Sequence, residues 1–182
     1  EFACKGYHAT SINEIARNAN ISIGAMYSYF ASKEDLFLSI VNEAYDLMNE
    51  ILQKIGNESK DVFECIRKML AASREFALKY PQLNQIYLDI TTQALTSLSV
   101  RLSSKLEMIT PNLLGEQLKN AKKAGLIESN LDEKIMAYCI DNIFMMYQFS
   151  FSSDYYKQRL CIYLEIEEID DMDQIEEDMY SF

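Results

Sequence analysis

Turn-forming residues are scarce in this 182-residue chain, which has 5 glycines and 2 prolines. A β-sandwich or barrel needs many turns rich in glycine and proline, so the scarcity favours an all-α fold. No run of 18 uncharged apolar residues exists, which excludes a transmembrane helix, and no secretory leader is visible. Hydrophobic residues make up 49% of the chain, enough for a substantial core. We expect a folded cytoplasmic protein. Because residue 1 is Glu and not Met, we also expect that the native chain has residues before Glu1.

Groups for metal binding or catalysis are also scarce. His8 is the single histidine, and the four cysteines, Cys4, Cys65, Cys139 and Cys161, form no C-x-x-C pair. Zinc and redox sites use closely spaced ligands, so we predict no metal and no cofactor, and reduced thiols are the simpler interpretation. A cysteine redox sensor stays open. With no G-x-S-x-G motif and no phosphate loop, we do not expect an enzyme.

Negative charge is concentrated near the end of the chain. Residues 165–178 hold nine acids and no base, and without those nine charges the net charge of −11 becomes −2. The total charge therefore does not exclude nucleic-acid binding elsewhere. Residues 1–33 have a net charge of +1, so DNA binding there would depend on geometry as well as charge. We expect the acidic segment to be a solvated, frayed end that discourages nonspecific phosphate binding.

Signals for helix ends are dense in the first third. Ser11 and Glu14 match a capping box at the start of one short helix, and Asn20 suits a left-handed turn after it. Ser22 is placed to cap a second short helix and Ser32 a third, longer one. Two short helices joined by a tight turn are the arrangement of a helix-turn-helix DNA reader.

The second short helix predicts a surface that reads the DNA major groove. Met26 and Phe30 lie four residues apart and form its buried face. Small residues elsewhere would let the backbone approach the bases, and tyrosine hydroxyls could reach phosphates or bases. Lys33, beside free N–H groups, is a predicted phosphate clamp, although an ordinary cap lysine is the alternative, as is a packing role for Tyr27. The outward residues are Ile23, Gly24, Ala25, Tyr27, Ser28 and Tyr29.

The rest of the chain keeps a helical rhythm. Its last two long helices are unusual, because 135–151 is apolar on nearly all sides and 155–164 repeats this less strongly. We predict a homodimer through helices 132–151 and 155–169, with a monomer that buries both helices as the alternative. The sequence predicts a helix over 33–55 that ends at Gly56-Asn57, a helix over 59–79 that stops at Pro81, a helix that follows Pro81, and a helix over 95–109. A further helix is predicted to begin at Thr110-Pro111 and end at Gly125-Leu126. The last two are predicted to begin at Asn130 with Glu133 and to run from 154 to 169.

Three segments together resemble a known family. The run G-Y-H-A-T-S-I-N-E-I-A at 6–16, then A-N-I-S-I-G-A-M-Y-S-Y-F at 19–30 and S-K-E-D-L at 32–36 closely resemble the DNA-binding region of TetR-family repressors. Asn20 stands where that family usually has a turn glycine. Ile23 and Ala25 carry no hydrogen-bonding groups, so we expect thymine-methyl contacts and shape readout.

The resemblance implies a homodimeric transcription regulator that binds a palindromic operator and releases it when a small molecule enters the C-terminal domain. It implies a DNA-binding domain over 1–46 and an effector-binding and dimerisation domain over 47–182. Ser11, Asn13 and Ser22 join the outward residues and Lys33 as DNA contacts. The predicted ligand is largely apolar or aromatic, and the alternative function is a helical ligand-binding dimer that no longer binds DNA. The candidate effector residues are Phe63, Phe76, Tyr80, Tyr87, Tyr138, Met145 and Phe149.

Overall fold

The computed structural model describes residues 1–92, 98, 102, 107–169 and 172–181. These residues form helices and no strands, which confirms the predicted all-α fold. None of the described helices is long and apolar enough to cross a bilayer. The helices are α1 (Phe2–Ala9), α2 (Ile12–Asn18), α3 (Ile23–Tyr29), α4 (Lys33–Glu58), α5 (Val62–Lys79), α6 (Pro81–Thr92), α7 (Ile109–Lys123), α8 (Glu133–Phe149), α9 (Asp154–Leu164) and α10 (Met172–Ser181).

The predicted caps of α3 and α4 are confirmed. The Ser22 hydroxyl accepts a hydrogen bond from the Ala25 N–H at 3.0 Å, and the Ser32 hydroxyl accepts one from the Asp35 N–H at 3.0 Å. Asn20 has φ of 55°, the left-handed conformation expected of the turn between α2 and α3. Local side-chain chemistry therefore sets where α3 and α4 begin.

The predicted capping box of α2 is wrong. Ser11 occupies the N-cap position, but its side chain makes no capping hydrogen bond. The carboxylate of Glu14 pairs with the ammonium of Lys5 at 2.5 Å. An ion pair with α1 thus takes the place of the bond to the backbone, because a charged donor attracts the carboxylate more strongly than a neutral N–H does.

Gly56 does not end α4, which continues to Glu58. A Cβ atom built on Gly56 would lie 2.4 Å from Cδ1 of Leu113 on α7. The glycine therefore permits close approach of α4 and α7, and the predicted stop at Gly56-Asn57 is wrong. Gly125, by contrast, has φ of +71° and ends α7 as predicted, with the Leu126 N–H bonded to the Ala121 carbonyl at 2.9 Å.

The starts of α5 and α8 differ from the predicted ones by two or three residues. Helix α5 begins at Val62, three residues after the predicted start at 59, and Asp61 caps it through the Glu64 N–H. Asp132 caps α8 instead of Asn130. The predicted stop and start at Pro81 are confirmed, since α5 ends at Lys79 and α6 begins at Pro81.

Helix α7 begins before its predicted cap. Its first residue is Ile109, so Thr110 and Pro111 lie inside the first turn, where a missing N–H leaves no helical hydrogen bond unmade. Most of the helix predicted over 95–109 lies outside the described residues. Within that span Leu98 and Leu102 are helical and buried.

Two cores hold the chain together. The C-terminal core joins α4, α5, α7, α8 and α10 around buried side chains such as Leu114, Leu118 and Tyr147. The N-terminal core joins α1–α4 to α6, so the helix-turn-helix is packed against the rest of the protein. Its buried members are Phe2, Ile12, Ala16, Met26, Leu36, Phe37, Val41, Ile86, Ile90, Leu98 and Leu102. The predicted domain boundary at 46/47 stays a prediction.

The acidic segment is not a frayed end. Helix α9 ends at Leu164, where Glu165 has φ of 56°, and the chain then forms α10. Ile175 of α10 is buried in the C-terminal core. Glu176 accepts a hydrogen bond from the Tyr147 hydroxyl at 3.0 Å and pairs with Arg74 at 3.1 Å, while Glu177 pairs with Arg67. Part of the negative charge is thus neutralised by arginines of α5, a pairing that no local pattern indicates.

Candidate nucleic-acid interface and ligand cavity

Helix α3 presents one face outward and buries the other. Met26 is 4% exposed, whereas Tyr29 is 81% exposed and Tyr27 is 49% exposed. Ile23 and Gly24 are exposed and Ala25 is half-buried. The Ser28 hydroxyl donates to the Ala25 carbonyl at 2.7 Å, which leaves its oxygen lone pairs to accept. This face carries two phenol hydroxyls and small residues, as a groove-reading helix requires.

The predicted contacts on α2 are also exposed. Ser11 and Asn13 lie at its start, and Ser22 lies at the start of α3 with its oxygen engaged by the Ala25 N–H. Sequence reasoning missed Arg17, whose side chain is 75% exposed and approaches Glu14 at 3.7 Å. Arg17 follows Asn13 by four residues and therefore shares its helix face, a spacing that could have identified it.

Lys33 is not free to clamp a phosphate. Its ammonium donates to the carbonyls of Tyr7 at 2.9 Å, His8 at 3.2 Å and Thr10 at 3.0 Å, and it lies 4.7 Å from the centre of the Tyr7 ring. An ammonium has three N–H donors, and all three are used here. The interpretation of Lys33 as a phosphate clamp is therefore corrected: it binds the end of α1 to the start of α4.

A cavity of about 120 Å³ lies among α4, α5, α6, α7 and α8. Its walls are mostly aliphatic and aromatic, which suits an apolar ligand as predicted. Three predicted effector residues, Phe76, Tyr87 and Met145, line it. The other wall residues are Ile40, Val41, Ala44, Tyr45, Met48, Leu52, Met69, Ala72, Ser73, Leu83, Ile86, Ile90, Ile109, Thr110, Asp141, Phe144 and Gln148.

Four predicted effector residues do not line this cavity. Tyr138 is 68% exposed and Phe63 is 41% exposed. Tyr80 follows α5 and packs its ring 5.3 Å from that of Phe76. Phe149 is buried behind the wall, with its ring 5.4 Å from that of Tyr87. Helical spacing identifies an apolar face, but it does not say whether that face meets a cavity, a core or the outside.

Polar groups meet at one side of the cavity. The Tyr87 hydroxyl donates to the Glu107 carboxylate at 3.2 Å and lies 3.7 Å from the Met145 sulfur. Burial, with Glu107 and Asp141 adding to it, raises the pKa of Tyr87 well above its usual range. Burial and the nearby Glu107 carboxylate raise the pKa of Asp141 to about 6, against a smaller opposing effect of its hydrogen bond with Thr110. Sequence reasoning missed Asp141, although a lone acid within an apolar helix is a visible signal.

No three histidine, cysteine or acidic side chains of the described residues are grouped closely enough to hold a metal ion. All four cysteines are free thiols: Cys65 and Cys161 are buried, and Cys4 and Cys139 are exposed. The geometry therefore leaves two candidate sites, the outward face of α3 and the cavity.

The segment that contains α3 is similar to a known family. Residues 1–40 match the family described as bacterial regulatory proteins, tetR family. Over 79 residues the chain is 40% identical to the uncharacterized HTH-type transcriptional regulator YuxN of Bacillus subtilis, covering 43% of this chain and 27% of that one. It is 28% identical over 135 residues to the fatty acid metabolism regulator protein of Bacillus subtilis, covering 71% and 66%.

A solved structure agrees in fold. The transcriptional regulator FadR from Bacillus subtilis, in complex with stearoyl-CoA, superposes with a TM-score of 0.66 at 22% identity, over 87% of this chain and 83% of that one. The chain spans less than two thirds of the length of the two curated relatives above. The exposed and capped second helix, in a segment with this match, has the arrangement of a helix-turn-helix domain. Residues 1–40 are therefore similar to the DNA-binding region of the tetR family of bacterial regulatory proteins.

Proposed function

We propose that the protein is a cytoplasmic repressor that binds a palindromic DNA operator as a homodimer and releases it when a small molecule enters the cavity. The observation that carries this proposal is that Val41, Ile86 and Ile90 belong both to the cavity wall and to the N-terminal core. A ligand that separates those side chains would also displace the helices that hold α3. No catalytic activity is part of the proposal.

Release would be a shift between two arrangements of the dimer. Two α3 helices fit successive major grooves only when they are about 34–36 Å apart. A ligand that binds the mismatched arrangement more tightly favours it in proportion to the difference in affinity. Helix α4 supplies six wall residues of the cavity and is capped by Ser32 beside α3, so it connects the two sites.

The dimer would form through the outer faces of α8 and α9. On α8, Ile135, Tyr138 and Ile143 are 62%, 68% and 47% exposed, and the helical spacing puts them on one face. On α9, Tyr155, Ile162 and Tyr163 are each at least 70% exposed and share a face in the same way. Water-exposed apolar side chains in this number mark an interaction surface. This supports the proposed pairing through 132–151 and 155–169.

The reader surface is tested by the double substitution Tyr27→Ala, Tyr29→Ala. An operator is first selected from a random duplex pool, and binding is then measured by fluorescence anisotropy. Each lost contact costs about 1–3 kcal/mol, so we expect operator affinity to fall by at least tenfold, since both side chains are exposed and the fold stays intact. The control is Leu78→Ala, which removes an exposed apolar side chain of α5 and should leave affinity unchanged.

Unchanged affinity in the folded double variant would show that α3 is not the reader. Failure of the pool to yield any enriched duplex would favour the alternative, a ligand-binding helical dimer without DNA binding.

A further inference from the structure

Among the described residues that line the cavity, Asp141 is the one charged side chain. We propose that the effector is an apolar molecule bearing one protonated amine, and that the Asp141 carboxylate is the group that binds the amine. This inference rests on the proposed function, because it names the ligand class of the same cavity. It goes further because it assigns the ligand a positive charge, whereas the apolar walls alone predict a neutral ligand.

Within the part of the chain that the structure describes, the charge that acts on Asp141 is negative. Glu107 acts on it as a second carboxylate, and Tyr87 and Thr110 contribute hydroxyls. Helices α4 and α5 contribute no charged side chain to the lining. No described lysine or arginine pairs with Asp141. This side of the cavity therefore has a negative potential that a bound cation would neutralise.

Burial of the ionised Asp141 carboxylate beside the cavity costs free energy. Besides Asp141, α8 presents Gln148 to the cavity, and its other lining residues are apolar. An ionised acid loses hydration on burial, and the neutral Thr110 hydroxyl replaces only part of it. The raised pKa of Asp141 reports that penalty. An acid with a raised pKa inside a cavity is a candidate functional group, and an amine would supply the charged partner that Asp141 lacks among the described residues.

The remaining wall suits the apolar part of such a ligand. Rings of Tyr45, Phe76, Tyr87 and Phe144 line the cavity. Aromatic faces attract both apolar groups and cations, so they favour an aromatic amine over an aliphatic acid. The same charge pattern repels carboxylates and phosphates. We therefore infer a ligand different in charge from the stearoyl-CoA that is bound by the structural relative from Bacillus subtilis.

Three probes with nearly the same skeleton isolate the effect of charge: 3-phenylpropylamine, 3-phenylpropanol and 3-phenylpropanoate. Binding to the full chain is measured by isothermal titration calorimetry at about pH 7.5, without DNA. We expect the amine to bind at least tenfold more tightly than the alcohol, and the carboxylate to bind most weakly. Asp141→Asn should reduce amine affinity at least tenfold and change alcohol affinity less than twofold. Glu116→Gln removes an exposed carboxylate of α7 and should change neither.

Several results would overturn the inference: equal or tighter binding of the carboxylate, unchanged amine binding by the Asp141→Asn variant, or no binding of any probe at millimolar concentration. Thermal melting of the variant shows that it is folded. Operator binding is measured separately, so the two proposals fail separately. If the protein binds an operator but does not distinguish the amine from the alcohol, only the proposed ligand class is wrong. If it prefers the amine but binds no operator, only the proposed repressor function is wrong.

Discussion

Lys33 holds the segment after α1 against the start of α4. Its three hydrogen bonds go to carbonyls of residues 23 to 26 positions earlier in the chain, and its charge lies over the Tyr7 ring. Those carbonyls surround the end of α1, where a helix favours a cation. In the proposed function, the lysine would therefore act on DNA reading indirectly, by holding the end of α1 against the start of α4.

We predict that Lys33→Ala destabilises the protein by about 1–3 kcal/mol, because it leaves partly buried carbonyls without their charged donor. The measurement is the free energy of unfolding from urea titration, monitored by helical circular dichroism. Lys54→Ala removes an exposed lysine from the same helix and should change stability by less than about 0.5 kcal/mol. Equal effects of the two substitutions would contradict the structural role of Lys33.

Asp141 predicts a pH dependence of stability. Its pKa is about 6 in the folded chain against an ordinary 3.8, so folding favours the protonated acid. Stability is therefore highest when the acid is protonated and is lost as the pH rises from about 4 through about 6. We expect Asp141→Asn to raise the free energy of unfolding by about 1–3 kcal/mol near pH 7.5. The gain should shrink as the pH falls toward 5, and a constant gain would contradict this explanation.

At the scale of elements, close approach of α4 and α7 depends on Gly56. We predict that Gly56→Ala destabilises the protein by about 1–3 kcal/mol, because the new methyl group would overlap Leu113. Gly115→Ala is the matched control, since that helical glycine has nothing within 4 Å of a built Cβ. The control should be neutral or stabilising by up to about 1 kcal/mol. Thermal and urea unfolding of both variants distinguish the cases.

Helix ends that depend on neighbouring residues could be predicted from the sequence. Ser22, Ser32, Pro81 and Gly125 act within one turn of their own positions, and each does what its residue type predicts. The prediction at Gly56 was wrong because this glycine makes room for Leu113 of another helix, α7, and does not end its own helix.

The acidic segment and the cavity could not be predicted for the same physical reason. Helix α10 is held by Arg67 and Arg74, about a hundred residues earlier, and by burial of Ile175. The contribution of α4 to the cavity depends on how five helices pack, so a periodic pattern finds the apolar face of Ile40 and Tyr45 without identifying what it encloses.

For the whole molecule, the exposed faces of α8 and α9 predict self-association. The double substitution Tyr138→Glu, Ile162→Glu places charge on both faces and should yield a monomer in analytical ultracentrifugation. Operator affinity should fall with it, because a palindrome binds two readers together. Leu126→Glu charges a comparably exposed apolar residue after α7 and should leave the assembly unchanged. A parent protein that sediments as a monomer at micromolar concentration would contradict the proposed dimer.

The double membership of Val41, Ile86 and Ile90 limits how such a protein can evolve. A substitution at any of them that adapts the cavity to a new compound also changes the packing beneath the reader. If the protein works as proposed, ligand preference and operator affinity would therefore change together at these positions. Wall residues outside the shared set, such as Ser73 or Met145, could change the proposed ligand preference without altering the packing that holds α3.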